Sequence, residues 1–309
     1  DCLLSRGLGD VYKRQKSSWW LVLAALTVMW GSSYLLVEFA LLGFAPSQLA
    51  AIRISLAAAV LGVFLLFTRD RLPRSRRSWA YLTAIAVIGN CLPFTLIAWG
   101  QQQVESGLAG ILVAVTPLCV VALGHIFLPE GRLKSSQMLG FAIGFVGVVI
   151  LMGPESLLAL AGDLTQLLSQ LAILGAAFCY ALATVLTARM PPVKPLMASA
   201  IVMWIAAMLM LPITLAAAPQ LMSVPIAALL ALLLLGIIGT ALTSILYFWL
   251  VARAGARFTS LFNYLVPMWA VSLGIVVLNE QLSLASFAAL ALIISGVLLT
   301  QMQSGKTAD

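Results

Sequence analysis

The chain writes one pattern twice: TPLCVVALGHIFLPE at 116–130 and VPMWAVSLGIVVLNE at 266–280. Pro117 falls over Pro267, Ala122 over Ser272, Gly124 over Gly274 and Glu130 over Glu280, all at an offset of 150 residues in a chain of 309. The same offset sets Trp99 over Trp249 and Trp30 over Tyr180. Beyond the glutamate, GVVIL (147–151) meets GVLLT (296–300) after a one-residue gap. Apolar segments resemble one another by composition, but composition does not produce a nearly constant offset across four regions. The chain is an internal duplication.

Composition identifies the duplicated unit. Hydrophobic residues make up 62% of the chain and charged residues 9%, against about 25% charged in soluble domains. Ten apolar windows of bilayer-spanning length lie near 18–39, 47–68, 78–99, 106–128, 136–153, 166–188, 196–217, 226–252, 258–279 and 284–302. The runs are continuous rather than alternating, which indicates helices and not barrel strands. Each repeat holds five spans, and an odd number turns the second copy upside down. The expected fold is therefore all-α integral membrane, with ten transmembrane helices as two inverted-topology five-helix repeats, an architecture recurrent among transporters. Connections are too short for a soluble catalytic domain.

The net charge of +7 would suggest nucleic acid in a soluble protein, but here it is distributed by topology. With a cytoplasmic N-terminus, 16 of the 17 basic residues fall in cytoplasmic segments, including the cluster Arg69, Arg71, Arg74, Arg76 and Arg77; Arg53 alone lies within a span. The opposite loops carry only Glu105, Glu155, Asp163 and Glu280. The positive-inside rule then places both termini in the cytoplasm of a bacterial-type inner membrane. The arginine cluster reads as a topology signal, with anionic membrane lipid as its second role. No nucleic-acid partner is expected.

Residues 1–15 share nothing with the remainder of the chain, and GDVYKRQ resembles translated adapter read-through, so this segment is set aside as non-native. The first repeat is expected at 16–153, the second at 166–302, and a cytoplasmic tail at 303–309. Cys2, Cys91, Cys119 and Cys179 show neither disulfide nor metal spacing, and neither metal nor cofactor is expected.

Three stretches of the first half carry a resemblance: MWGSSYLLVEFAL (29–41), PSQLAAIRISLAA (46–58) and GLAGILVAVTPLCVVALGHIFLPEGRLKSSQMLGFAIGFVGVVIL (107–151). With YFWLVARAGARFTSLFNYLVPMWAVSLGIVVLNEQL (247–282) as a second copy, the chain resembles the EamA-domain transporters of the drug/metabolite transporter (DMT) superfamily. The resemblance implies a central cavity bounded by the first four helices of each half, with the fifth and tenth peripheral and linked to homodimer contacts. It also implies transport of amino acids, drugs or other metabolites. Related sequences often have lysine eight residues after the tryptophan of WGS; Glu38 reverses that charge and favours a cationic or zwitterionic ligand.

Polar groups inside a bilayer are costly and face a cavity or a partner. Glu38 and Arg53 fit a mutual ion pair, contact with a charged substrate or headgroup, or proton coupling through Glu38. Trp30, Tyr34, Trp99, Tyr180, Tyr247 and Tyr264 are cavity candidates because aromatic faces suit rings and cations, with interfacial belts as the alternative. Asn90 and Asn263 fit interhelical hydrogen bonds or ligand contact. Pro93, Pro117 and Pro267 free backbone carbonyls and are candidate kinks or hinges. Glu130 and Glu280 close helices at opposite faces and mark the repeat. His125, the single histidine, lies about a turn from the end of its span and aligns with Ile275; an interfacial place fits it better than a proton relay.

The function expected is secondary or facilitative export of a small-molecule substrate, such as an amino acid or amine, by alternating access. A multidrug exporter or lipid flippase of the same fold is the alternative. An intramembrane enzyme is remote, because the spans contain no convergent catalytic groups.

Overall fold

The computed structural model describes residues 2–66, 72–127, 135–152, 164–217 and 224–301, with side chains from Ser18 onward apart from 64, 66, 256, 257 and 301. Glu130 and the tail 303–309 lie outside the described residues. Every regular element described is helical. In chain order they are α1 (Cys2–Leu41), α2 (Pro46–Leu66), α3 (Arg76–Gly100), α4 (Ser106–Phe127), α5 (Ser135–Met152), α6 (Leu164–Arg189), α7 (Pro195–Ala217), α8 (Ile226–Gly255), α9 (Phe262–Leu278) and α10 (Leu284–Gln301). Eight of these are long and apolar enough to cross a membrane by themselves; α9 and α10 are shorter. The ninth window was expected from 258; Gly255 takes φ 82° and kinks the path, a short helical stretch continues to Thr259, and α9 starts at Phe262 after a turn at Ser260 and Leu261. A left-handed φ is open to glycine without steric cost.

The halves interlock rather than stand side by side. Helix α1 packs on α9 and α8, and their repeat-mates mirror it, α6 packing on α4 and α3. Three contacts join a helix to its own repeat-mate: α2 with α7, α4 with α9, and α5 with α10. Small residues allow this. Without a hydrophobic drive between helices in lipid, close van der Waals approach holds them together. At the α5–α10 crossing a Cβ added to Gly140 would lie 2.5 Å from the Gly296 carbonyl oxygen. Outward positions remain apolar, with Leu21, Val276 and Leu284 all exposed. On a soluble protein such a surface would aggregate; here it faces acyl chains.

Helix ends and connections of the two repeats meet at both faces of the bundle. Trp20 packs edge-on against Phe258 at 4.9 Å, joining the start of the apolar part of α1, Ser18–Leu41, to the α8–α9 connection. On the opposite face Glu280 reaches Ser106, joining the α9–α10 and α3–α4 connections. The described basic connections, with Arg74, Arg76, Arg77, Lys194 and Arg253, alternate along the chain with those carrying Glu105 and Glu280. We refer to the basic face and the Glu280 face.

Candidate functional site

Helices α3 and α8 each contain one widened, π-type turn, at Val87–Cys91 and Ile237–Leu242. These are equivalent positions of the two repeats, separated by the same 150 residues. A π turn breaks the regular hydrogen-bond ladder, and such turns concentrate at functional sites. Within them Asn90 and Thr240 are equivalent residues, and each donates to the carbonyl five residues earlier. Asn90 Nδ2 reaches Ile85 at 3.4 Å and Thr240 Oγ1 reaches Leu235 at 2.8 Å. The neighbouring glycines match as well. A Cβ on Gly89 would lie 3.0 Å from Ala183 Cβ in α6, and one on Gly239 would lie 2.9 Å from Ser33 Oγ in α1. Ser33 and Ala183 are themselves repeat-mates. The pseudo-two-fold relation thus extends to single contacts.

Arg53 lies seven residues into α2, about 10 Å from its start. It is 7% exposed and is the one charged side chain buried among the described residues. Its Nε donates to Thr240 Oγ1 at 2.8 Å, so the hydroxyl of the α8 widened turn accepts from arginine and donates to its own backbone. The guanidinium carbon sits 4.0 Å from the centre of the Phe94 ring, a cation–π contact. Its electrostatic neighbours are the phenols of Tyr180 and Tyr34, not a carboxylate. Arg53, Tyr34, Tyr180, Phe94 and Thr240 therefore form one polar centre drawn from α2, α1, α6, α3 and α8.

Other candidates gather elsewhere. Trp30 meets Phe262 at 4.7 Å and Tyr247 at 5.6 Å between ring centres, and Tyr247 meets Phe262 at 5.9 Å. This aromatic cluster joins α1, α8 and α9 toward the basic face. Tyr264 is buried in the core that also holds Tyr34, Ala109 and Ala270. Asn263 is half-buried in the first turn of α9, its N–H bonded to the Ser260 carbonyl at 3.1 Å. Trp99 is 39% exposed on the outer surface of α3, and His125 is exposed in the last turn of α4. Pro93 stands two residues past the widened turn of α3, and Pro117 two residues past a break in α4 at Ala114 and Val115. Pro267 sits inside an uninterrupted α9.

Glu38 and Arg53 do not pair. Glu38 is half-buried near the end of α1, its Oε2 has no hydrogen-bond partner among the described residues, and its electrostatic neighbours are Glu280 and Glu105. Glu280 has a defined partner. Oε1 accepts from the N–H and hydroxyl of Ser106 at 2.8 and 2.7 Å, and Oε2 accepts from the N–H of Gly107 at 2.9 Å. A helix start leaves N–H groups unpaired and carries partial positive charge, and this carboxylate satisfies both. Asn279 makes the reach possible by taking the left-handed conformation (φ 55°), after which the Glu280 N–H closes on the Gly274 carbonyl at 3.1 Å.

Sequence reasoning missed Thr240, Phe94 and both widened turns. The available signal was Ile88-Gly89-Asn90 against Ile238-Gly239-Thr240, a further match at the repeat offset. Near the Glu280 face it also missed Gln101 and Gln170, each 3% exposed with an unpartnered side-chain carbonyl oxygen. Gln101 Nε2 donates to the Tyr34 backbone carbonyl at 2.9 Å.

Interlocked inverted repeats with interrupted helices around a buried charged centre define a polytopic membrane protein of the secondary-transporter architecture. The chain belongs to the EamA-like transporter family, whose pattern matches residues 17–153 and again 167–302. It is 27% identical over 289 residues to the uncharacterized inner membrane transporter YedA of Escherichia coli K12, covering 91% of this chain and 89% of that protein. It is also 27% identical over 295 residues to the probable terminal-alkyne amino-acid exporter of Streptantibioticus cattleyicolor, covering 93% and 94% respectively. A solved crystal structure with 20% identity superposes with TM-score 0.59 over 94% of this chain and 99% of that one, sharing the fold. The relatives are named as transporters, which supports a role other than catalysis.

Proposed function

We propose that the protein is a secondary or facilitative exporter of small metabolites, amino acids or amines among them, working by alternating access around the centre between its repeats. The observation that carries this reading is Arg53, a buried cation with no carboxylate partner among the described residues, hydrogen-bonded to a widened helical turn. Burying an unpaired charge costs on the order of several kcal/mol even after relaxation, and an expense of that kind marks function rather than packing. The equivalent widened turns of α3 and α8 supply the places where each half bends. The amino-acid exporter among its relatives points to the same substrate class. The basic face, with both termini, is the cytoplasmic one on the Lys/Arg distribution.

Efflux from proteoliposomes tests the proposal, using a radiolabelled panel of amino acids and amines with and without a pH gradient. Saturable flux of at least one solute is expected. No flux of any solute, with scrambling of labelled lipid instead, overturns the metabolite reading in favour of a flippase.

A further inference from the structure

We propose that Arg53 is the residue that binds substrate, and that it selects a carboxylate; this deepens the transporter reading and rests on it. Guanidinium presents five N–H donors in a planar fork. One of them, at Nε, is taken by Thr240, and no acceptor for the terminal nitrogens occurs among the described residues. The groups around the fork position it without neutralising it. Phe94 lies against it at 4.0 Å, Thr240 fixes its rotation, and the Tyr34 and Tyr180 hydroxyls stand as further donors near it.

A centre made of a fixed arginine and phenols supplies positive charge and donors, which an anion needs and a cation does not. A carboxylate matches the fork with two parallel N–H···O bonds, and lysine lacks that geometry. Glu38 is not among the electrostatic neighbours of Arg53, and its own are Glu280 and Glu105. The ligand class is therefore a small carboxylate, free or as the carboxylate end of an amino acid, received by the terminal nitrogens of Arg53. Its charge supplies the counter-ion that the fold omits, so binding is coupled to neutralising Arg53.

The test uses matched ligands on the full-length protein: alanine, leucine and phenylalanine, each beside its decarboxylated amine and its methyl ester. Affinity is read from ligand-dependent thermal stabilisation and from competition for efflux in proteoliposomes. At least one acid is expected to bind roughly 10- to 100-fold tighter than its amine and ester, the range a charge-assisted bond supports. Arg53→Gln is expected to erase that preference, and Arg53→Lys to restore only part of it. Thr240→Val keeps the charge but frees Nε, and is expected to weaken the acid severalfold more than the amine. That variant covers the case in which Arg53→Gln fails to fold. Acid, amine and ester binding alike, or a preference that survives either Arg53→Gln or Thr240→Val undiminished, overturns the assignment. Flux of amines without acids overturns the Arg53 role and leaves the transporter reading standing, whereas no flux of any solute overturns both.

Discussion

Glu280 caps Ser106 across 174 residues of chain, its Oε1 accepting from both the backbone N–H and the hydroxyl. Glu105 occupies the N-cap position itself, yet its side chain makes no capping bond. The cap therefore comes from the other repeat and ties α9 to α4 at the Glu280 face. Losing an N-cap costs about 0.5–2 kcal/mol, so Glu280→Ala is expected to lower thermal stability in detergent by that order. Gly274 is part of the same device, because a Cβ there would overlap Glu280 Oε2 and approach its Cδ at 2.7 Å. Gly274→Ala should destabilise the wild type, and its extra cost should vanish in the Glu280→Ala background. Additive costs in the double-mutant cycle would show that the glycine is not there for the carboxylate.

A pH dependence arises from the neighbour that does not cap. Burial, and then the adjacent Glu280 carboxylate, raise the pKa of Glu105 above the ordinary glutamate value. With the folded pKa raised, its contribution to stability is complete below the unfolded value and is lost as pH rises through the folded one. Glu105→Gln should therefore be as stable as wild type near about pH 4 and more stable than wild type toward neutrality. Melting temperatures of both proteins across that range check this. A difference that stays flat with pH would refute it, and Glu280→Gln should shrink it.

The legible part of this protein was its periodicity. Ten helices and the duplication follow from runs of apolar residues and one offset; Arg53, Tyr34 and Tyr180 stand out as polar within spans, but that they lie near one another was not legible. Rotation of each helix about its axis did not follow. In a helix apolar on every side nothing in the pattern says which face meets protein, so Trp99 and Tyr34 read alike although one is exposed and the other buried. The partner of Glu280 was equally hidden, since a cap supplied from 174 residues away is a property of the assembled bundle. The widened turns were written in the matched Ile-Gly-Asn and Ile-Gly-Thr triplets, a signal weaker than any proline. Proline explains only one of the two, for Thr243 stands where α3 has Pro93.

These triplets make a prediction about movement. Gly239→Ala brings a methyl group against Ser33 Oγ, and Gly89→Ala brings one against Ala183 Cβ. Each also favours regular helix by about 0.8–1 kcal/mol, against the widened turn. Efflux rates should fall severalfold in either variant. Ser33→Ala should restore rate to Gly239→Ala, and Ala183→Gly should restore it to Gly89→Ala. Rescue in neither half would mean that the crossings of α1 with α8 and of α6 with α3 do not govern transport.

The seam between α5 and α10 differs at Gly296, whose nearest neighbours are all backbone atoms. A Cβ on Gly296 would overlap the Gly140 carbonyl oxygen and lie 2.8 Å from the Gly144 amide nitrogen. Backbone cannot rotate out of the way as a side chain can, so Gly296→Ala must push the helices apart. A loss of about 1–3 kcal/mol, the usual cost of overpacking, is expected. Gly175 is the internal control, because a Cβ there meets only Leu96 Cδ1 at an ordinary 3.8 Å. Gly175→Ala should hold or raise stability through helix propensity alone. Thermal unfolding of the two variants side by side separates these effects. Equal responses would show that the α5–α10 contact is loose enough to accept a methyl group and that the glycines are not what joins the repeats there.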